Sequence, residues 1–236
     1  MNSLAGTPGH GVAVIVGAGG GIGASLVRAT EMSGRFAHVL ALSRRSQPRL
    51  DLEDEASIEA AASLAASLGD IRLCVVATGL LHAGRLQPEK ALRDVDPGAL
   101  ARSFAINAIG PALVMKHVLS RLPREGRSVF AVLSAKVGSI GDNRLGGWYA
   151  YRASKAALNQ YVRTAAIELA RRRPESLCVA LHPGTVDTRL SSPFAKSGLA
   201  VAGPDAAAAA ILACLDGLSP SDSGGFFDRT GERLPW

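Results

Sequence analysis

Val12-Ala-Val-Ile-Val-Gly-Ala-Gly-Gly-Gly-Ile-Gly23 decides the fold of this chain. Val12 to Val16 is an unbroken apolar run, the pattern of a parallel strand covered on both faces. The glycines follow it directly, and Ile22 to Glu31 continues with a helical pattern. Gly17 permits a tight turn, Gly21 lets backbone approach a phosphate, and Gly23 lets helix pack close to strand. Gly19 and Ile22 complete the turn. Unpaired N–H groups at a helix start attract an anion, so Gly17, Gly19, Gly21, Ile22 and Gly23 read as a dinucleotide pyrophosphate cradle. No Gly-Lys-Ser/Thr follows, which excludes a mononucleotide phosphate loop.

Working outward, strand-like runs alternate with helical ones. The pattern predicts strands at 37–42, 48–52, 71–77, 128–133, 177–181 and 225–228. It predicts helices at 55–68, 97–122, 147–173 and 204–215. Such alternation implies right-handed crossovers and an α/β, doubly wound parallel sheet of about seven strands with helices on both faces, a Rossmann-type arrangement. Residues 1–236 hold no repeat, linker or composition break, so a single domain is expected. Ligands of such sheets lie beyond the carboxyl ends of the strands.

Composition narrows the function. Of 236 residues, 47% are hydrophobic and 19% charged, enough apolar material for a two-sided core. The net charge of +6 is spread along the chain. Its densest run, Arg171-Arg-Arg173, closes a helix, where cations complement the dipole, and no aromatics interleave with it as in single-strand binders. No nucleic-acid partner is expected. Cys74, Cys178 and Cys214 are far apart and sit in apolar surroundings, which suits buried thiols in a reducing compartment. Neither these nor the five scattered histidines have metal-ligand spacing, so no metal is expected. The N-terminus lacks a signal-peptide pattern and no membrane span is read, so a soluble cytoplasmic protein is expected.

The end of the second strand selects the cofactor. An acidic residue there would accept ribose hydroxyls and repel a 2′-phosphate. The chain has Ser43, Arg44 and Arg45 instead. A hydroxyl and two guanidiniums suit a 2′-phosphate, so NADP(H) is expected in preference to NAD(H), with Arg44 leading.

The chemistry is read from Trp148-Tyr-Ala-Tyr-Arg-Ala-Ser-Lys155. Tyr151 and Lys155, four apart on a helix, share a face. An ammonium there favours the phenolate and lets the phenol exchange a proton near neutral pH. With three tyrosines and five lysines in the chain, chance gives about 0.06 such spacings. Tyr149 has Ala153 at i+4 and is read as pocket lining or core.

These pieces, with Asn107 in Phe104-Ala-Ile-Asn-Ala-Ile-Gly110 and Pro183-Gly-Thr-Val-Asp-Thr188, resemble the short-chain dehydrogenase/reductase family over nearly the whole chain. Within that family the run 138–155 and the ending Gly225-Phe-Phe-Asp to Leu234-Pro-Trp236 are most similar to the C-factor-like and sniffer-like carbonyl reductases. The resemblance implies that Tyr151 exchanges the proton and that Lys155 holds the nicotinamide ribose. It implies that Asn107 helps hold a water, and that Pro183, Gly184, Val186 and Thr188 wrap the nicotinamide. Asp51 would meet the adenine, and Gly79 stands in the stretch at the end of the strand 71–77.

Two departures are visible. Val76 and Ala77 replace the asparagines of that stretch, so its bracing must come from elsewhere. The catalytic serine of the family falls on Ala135. Ser134 is the favoured substitute hydroxyl, with Ser139 or a water as alternatives, although neighbouring residues on a strand face opposite ways. The expectation is an NADP(H)-dependent reductase of an aldehyde or ketone, or the reverse oxidation. The competing reading is a catalytically weakened dinucleotide-binding signalling protein. The long helices 98–122 and 147–173 suggest a homodimer or homotetramer.

Overall fold

A computed structural model describes residues 10–84, 86–191, 193 and 201–236. Six parallel strands form one sheet: β1 Val12–Val16, β2 His38–Leu42, β3 Ile71–Val76, β4 Val129–Leu133, β5 Leu177–His182 and β6 Phe226–Asp228, in the order β2-β1-β3-β4-β5-β6. The helices are α1 Gly21–Met32, α2 Glu55–Leu68, α3 Pro97–Phe104, α4 Gly110–Leu119, α5 Tyr149–Arg172 and α6 Pro204–Gly217.

The twofold alternation of a strand divides the core. Val12, Val14 and Val16 pack with residues of α2, α4 and α5, while Ala13 and Ile15 pack with residues of α1 and α6. Both sets are fully buried, which is why the strand reads as continuously apolar.

The expected strand at 48–52 does not form. Leu50 and Leu52 are buried there, but the segment joins no strand. The Ser46 hydroxyl donates to the Ser43 and Pro48 carbonyls, and Leu50 N donates to Ser43 O, so a serine turn takes the backbone groups a strand would need. Six strands therefore stand where about seven were expected.

The helical stretch Pro97–Leu119 is 23 residues long and its most apolar 18-residue window has a mean hydropathy of 1.3, long and apolar enough to cross a membrane. Here it lies against the sheet, burying Val114, Met115 and Val118 in the core, as the core helix of a globular domain does. It is not one regular helix: Ala105–Ile109 is a wide π turn. Pro111 lacks the N–H that a regular helix would aim at the Asn107 carbonyl, and its ring crowds that carbonyl. The following Gly110 allows close approach, since a Cβ there would stand 2.5 Å from Leu52 Cβ.

Strand order reverses at β1, with β2 on one side and β3 on the other. That places a crevice beyond the carboxyl ends of β1 and β3.

Candidate active site

The glycine turn leaves β1 and enters α1 with a backbone that side chains would block. Gly17 has φ +92°, and a Cβ there would lie 2.8 Å from the Ala77 carbonyl oxygen. A Cβ on Gly23 would lie 2.1 Å from the Gly17 oxygen. Helix α1 has no side-chain cap and no acidic residue in its first turn, so no side chain of its own competes for its leading N–H groups. Gly19, Gly20 and Gly21 are exposed. A Cβ on Gly21 would stand 3.0 Å from Thr188 Cγ2, and one on Gly19 would stand 3.8 Å from Ser43 Cβ. Three segments expected from sequence to touch a dinucleotide thus meet at one cradle, with Ile22 half-buried behind it. The cradle fits a pyrophosphate at a helix N-terminus.

Arg44 and Arg45 project into solvent beside it. Arg45 N donates to Ser43 Oγ at 3.1 Å. Asp51 is half-buried and paired with Arg49 at 2.6 Å. Burial opposes its ionisation, but the Glu53 N–H and Arg49 outweigh it and hold the carboxyl below its ordinary range. Pro183 and Gly184 follow β5. Arg229 donates to the Pro183 carbonyl at 3.0 Å, and any Cβ on Gly184 would collide with that guanidinium. Val186 is buried and forms a bridge with Ala202.

At the other end of the crevice stand Tyr151 and Lys155, both buried on α5. Lys155 Nζ donates to the Leu133 carbonyl at 2.8 Å and lies 5.9 Å from the Tyr151 ring centroid. Burial pushes the phenol up to about 12 and the ammonium down to about 7. Each is moved toward its neutral form, as desolvation requires.

A point built as a Cβ on Gly79 would lie 3.8 Å from Lys155 Nζ, 3.9 Å from Asn107 Oδ1 and 3.5 Å from Leu190 Cδ1. Gly79, Asn107 and Lys155 therefore converge. Asn107 grips the backbone of Leu80 twice, accepting from its N–H at 2.7 Å and donating to its carbonyl at 2.8 Å. It also donates to Ser154 Oγ at 3.1 Å, which in turn donates to the Tyr151 carbonyl. This is the bracing that the missing asparagines after β3 called for.

Ser134, the hydroxyl favoured from sequence, is engaged with a residue outside this group. Its buried hydroxyl donates to Asn159 Oδ1 at 2.6 Å. Asn159 follows Tyr151 by eight residues, about 12 Å along a helix axis, so Ser134 faces a deeper level of α5 than the phenol. Ser139 is equally engaged, donating to the Trp236 carbonyl at 3.2 Å and accepting from Asp142 N. Ala135 holds a methyl group where the family pattern has its hydroxyl.

Other contributors left no signal in the sequence reading. Trp148 sets its ring edge against Tyr151, with centroids 6.3 Å apart. Trp236 stacks on Phe226 and accepts from Gly141 N at 2.9 Å, so the chain's last residues hold the loop 139–148. Tyr149 is 37% exposed, which excludes the core. Most of 190–201 lies outside the described residues. Among the described residues no cluster of His, Cys, Asp and Glu could hold a metal.

A family model described as enoyl-(acyl carrier protein) reductase matches residues 18–209. The chain is 42% identical over 147 residues to the C-signal of Myxococcus xanthus, covering 62% of this chain and 84% of that one. It is 31% identical over 190 residues to 1-hydroxy-2-glutathionyl-2-methyl-3-butene dehydrogenase of Rhodococcus sp. (strain AD45), covering 80% of each. The structure of an NADPH-bound carbonyl reductase from chicken fatty liver superposes with a TM-score of 0.79 at 26% identity, covering 96% of this chain and 98% of that one.

Proposed function

This chain belongs to the short-chain dehydrogenase/reductase family of oxidoreductases, and from that premise we propose that it reduces an aldehyde or ketone with NADPH. The observation that carries the reading is the convergence of Tyr151, Lys155, Asn107 and Gly79 at one end of a crevice whose other end is the glycine cradle. A proton-exchanging phenol and a nucleotide cradle in one crevice are what hydride transfer to a carbonyl needs.

Bound NADPH supplies the hydride. Gly17, Gly19, Gly21, Ile22 and Gly23 hold its pyrophosphate, Ser43, Arg44 and Arg45 its 2′-phosphate, and Asp51 lies toward its adenine. Pro183, Gly184, Val186 and Thr188 border the nicotinamide. Tyr151 gives its proton to the carbonyl oxygen as the carbon is reduced, and takes one back in the reverse reaction. Lys155 holds the ribose, and in the ammonium form that it takes below about 7 it stabilises the phenolate left behind. Asn107 fixes Leu80 and so the wall of the crevice. No serine touches the substrate oxygen in this scheme, because Ser134 and Ser139 are bonded elsewhere.

The comparison with the chicken reductase supports the cofactor choice, and the Rhodococcus dehydrogenase supports chemistry at an alcohol or carbonyl carbon. The three buried free cysteines suit a reducing cytoplasm. The outer face of α5 exposes Tyr161 and Ile167. We assign a homodimer or homotetramer to this face, with Ala153 exposed for close approach while Ala166 serves the chain's own core.

The test is NADPH and NADH oxidation, followed at the nicotinamide absorbance, over a panel of aldehydes, ketones and quinones, with Tyr151→Phe alongside. Turnover that disappears in Tyr151→Phe while NADPH still binds supports the reductase. Ala135 and the likeness to C-signal favour a second reading, a dinucleotide-binding signalling protein with weakened catalysis. Tight NADPH binding with no turnover of any carbonyl would establish it.

A further inference from the structure

We propose that Glu89, in the segment between β3 and α3, is the positioning residue that sets the start of α5 and so the placement of Tyr151; this rests on the reductase reading. Helix α5 has no cap of its own. Its first turn holds no acidic residue, and the residue before it, Trp148, offers no side-chain bond to the leading N–H groups.

The chain enters α5 through three successive left-handed residues: Gly146 at φ +62°, Gly147 at φ +64° and Trp148 at φ +54°. Two are glycines, for which the conformation is free. For the bulky Trp148 it is strained and persists only where neighbours over-determine it. Glu89 does so from a distant segment of the chain. Its main-chain carbonyl accepts from Trp148 N at 2.6 Å, and its carboxylate Oε2 accepts from Ala150 N at 3.2 Å. A Cβ on Gly147 would stand in ordinary contact with the same Glu89 carbonyl, at 3.4 Å, so it is the left-handed φ of +64° that favours glycine there. Tyr151 is the next residue in the chain.

Glu89 is only 5% exposed, and its second carboxylate oxygen, Oε1, is buried without a hydrogen-bond partner among the described residues. A carboxylate is costly to bury this way. The positive end of the α5 dipole offsets part of that cost. A buried acid that spends one oxygen on a helix N–H fits a device for precision better than one for stability. Arg152 completes the clamp from inside α5, donating to the carbonyls of Gly146, Gly147 and Val137.

The test is steady-state kinetics of Glu89→Ala, Glu89→Asp and Glu89→Gln in the full chain, with NADPH and a carbonyl that the wild type reduces. Displacing a catalytic group by about 1 Å costs up to about 100-fold. The expected result is a fall in kcat of about ten-fold or more in Glu89→Ala and Glu89→Asp, with KM for NADPH within about two-fold. Glu89→Gln, which keeps an acceptor for Ala150 N, should restore kcat to within about three-fold. Full kcat in Glu89→Ala overturns the proposal. So does an equal loss in all three variants with NADPH affinity lost as well, since that marks general support of the fold. If Glu89→Ala does not fold, Glu89→Asp carries the same decision. If the wild type reduces no carbonyl, the reductase reading has failed separately, and amide hydrogen exchange at Ala150 and Tyr151 decides. Exchange about ten-fold faster in Glu89→Asp but not in Glu89→Gln supports the anchor, and unchanged exchange overturns it.

Discussion

Lys155 Nζ rests on the carbonyl of Leu133, so the last residue of β4 fixes how far the ammonium stands from Tyr151. The partner is a neutral oxygen, and no charged group among the described residues offsets the burial of the amine. Its pKa accordingly drops to about 7, while that of the phenol rises to about 12.

This pair makes stability depend on pH in a defined direction. Above 10.5, the ordinary lysine value, Lys155 is neutral both folded and unfolded. Between about 7 and that value the unfolded chain holds a proton that the folded chain does not, so stability rises with pH across the window. Below about 7 the whole penalty applies. Lys155→Met removes it, and denaturant unfolding should show the variant gaining on the wild type as pH falls from 10 toward 7, by on the order of a few kcal/mol. A constant difference across that range would refute the assignment. Tyr151, with its raised pKa, costs stability only as pH climbs from about 10 toward 12, outside the test.

Arg44 is exposed beside the cradle and free to meet a phosphate. Arg44→Ala should weaken NADPH binding by about ten- to 100-fold and leave NADH binding nearly unchanged, as expected for one charge-assisted contact. Titration of nicotinamide fluorescence with each cofactor measures both. Equal effects on the two would remove the 2′-phosphate from the argument.

Gly23→Ala should destroy the cradle, because the new methyl group would overlap the Gly17 carbonyl at 2.1 Å. NADPH binding should be lost, with about 3 kcal/mol or more of folding stability. Gly34→Ala is a useful control: its backbone is left-handed at φ +62°, but it meets no neighbour within 4 Å. It should destabilise by only about 1 kcal/mol and leave cofactor affinity intact.

Ser134→Ala should keep kcat within about three-fold while costing about 1–3 kcal/mol, since it leaves Asn159 Oδ1 buried without its donor. Ala135→Ser puts a hydroxyl where the family pattern has one and should raise kcat, by up to about 100-fold if the new group polarises the substrate carbonyl. A large loss of kcat in Ser134→Ala would return that serine to the reaction.

Local features were legible in the sequence and remote ones were not. The glycine turn and the Tyr151–Lys155 pair are each encoded within a few residues, by conformational freedom and by helical periodicity. The alternation of apolar runs placed the strands that have a covered face on both sides. The expected strand around Leu50 failed because two buried leucines gave it a strand's hydrophobicity, while Ser46 had already taken the backbone hydrogen bonds. The partner of Ser134 was not legible because side-chain direction depends on what α5 presents at that level, namely Asn159. The roles of Glu89, Arg229 and Trp236 rest on contacts spanning 61, 46 and 97 residues, for which no local pattern exists. The wide turn at Asn107 was within reach, since Pro111 stands four residues beyond it in a helical stretch.

The chain holds only two tryptophans, Trp148 and Trp236, and each grips one end of the loop 139–148. One leans on Tyr151 and the other stacks on Phe226, so the two indoles sit in different surroundings. Their emission is therefore an intrinsic optical reporter of that loop, needing no label. A reduced nicotinamide absorbs where indoles emit, so quenching would track its arrival at the Trp148 end, and Trp236 would signal the loop's far end independently.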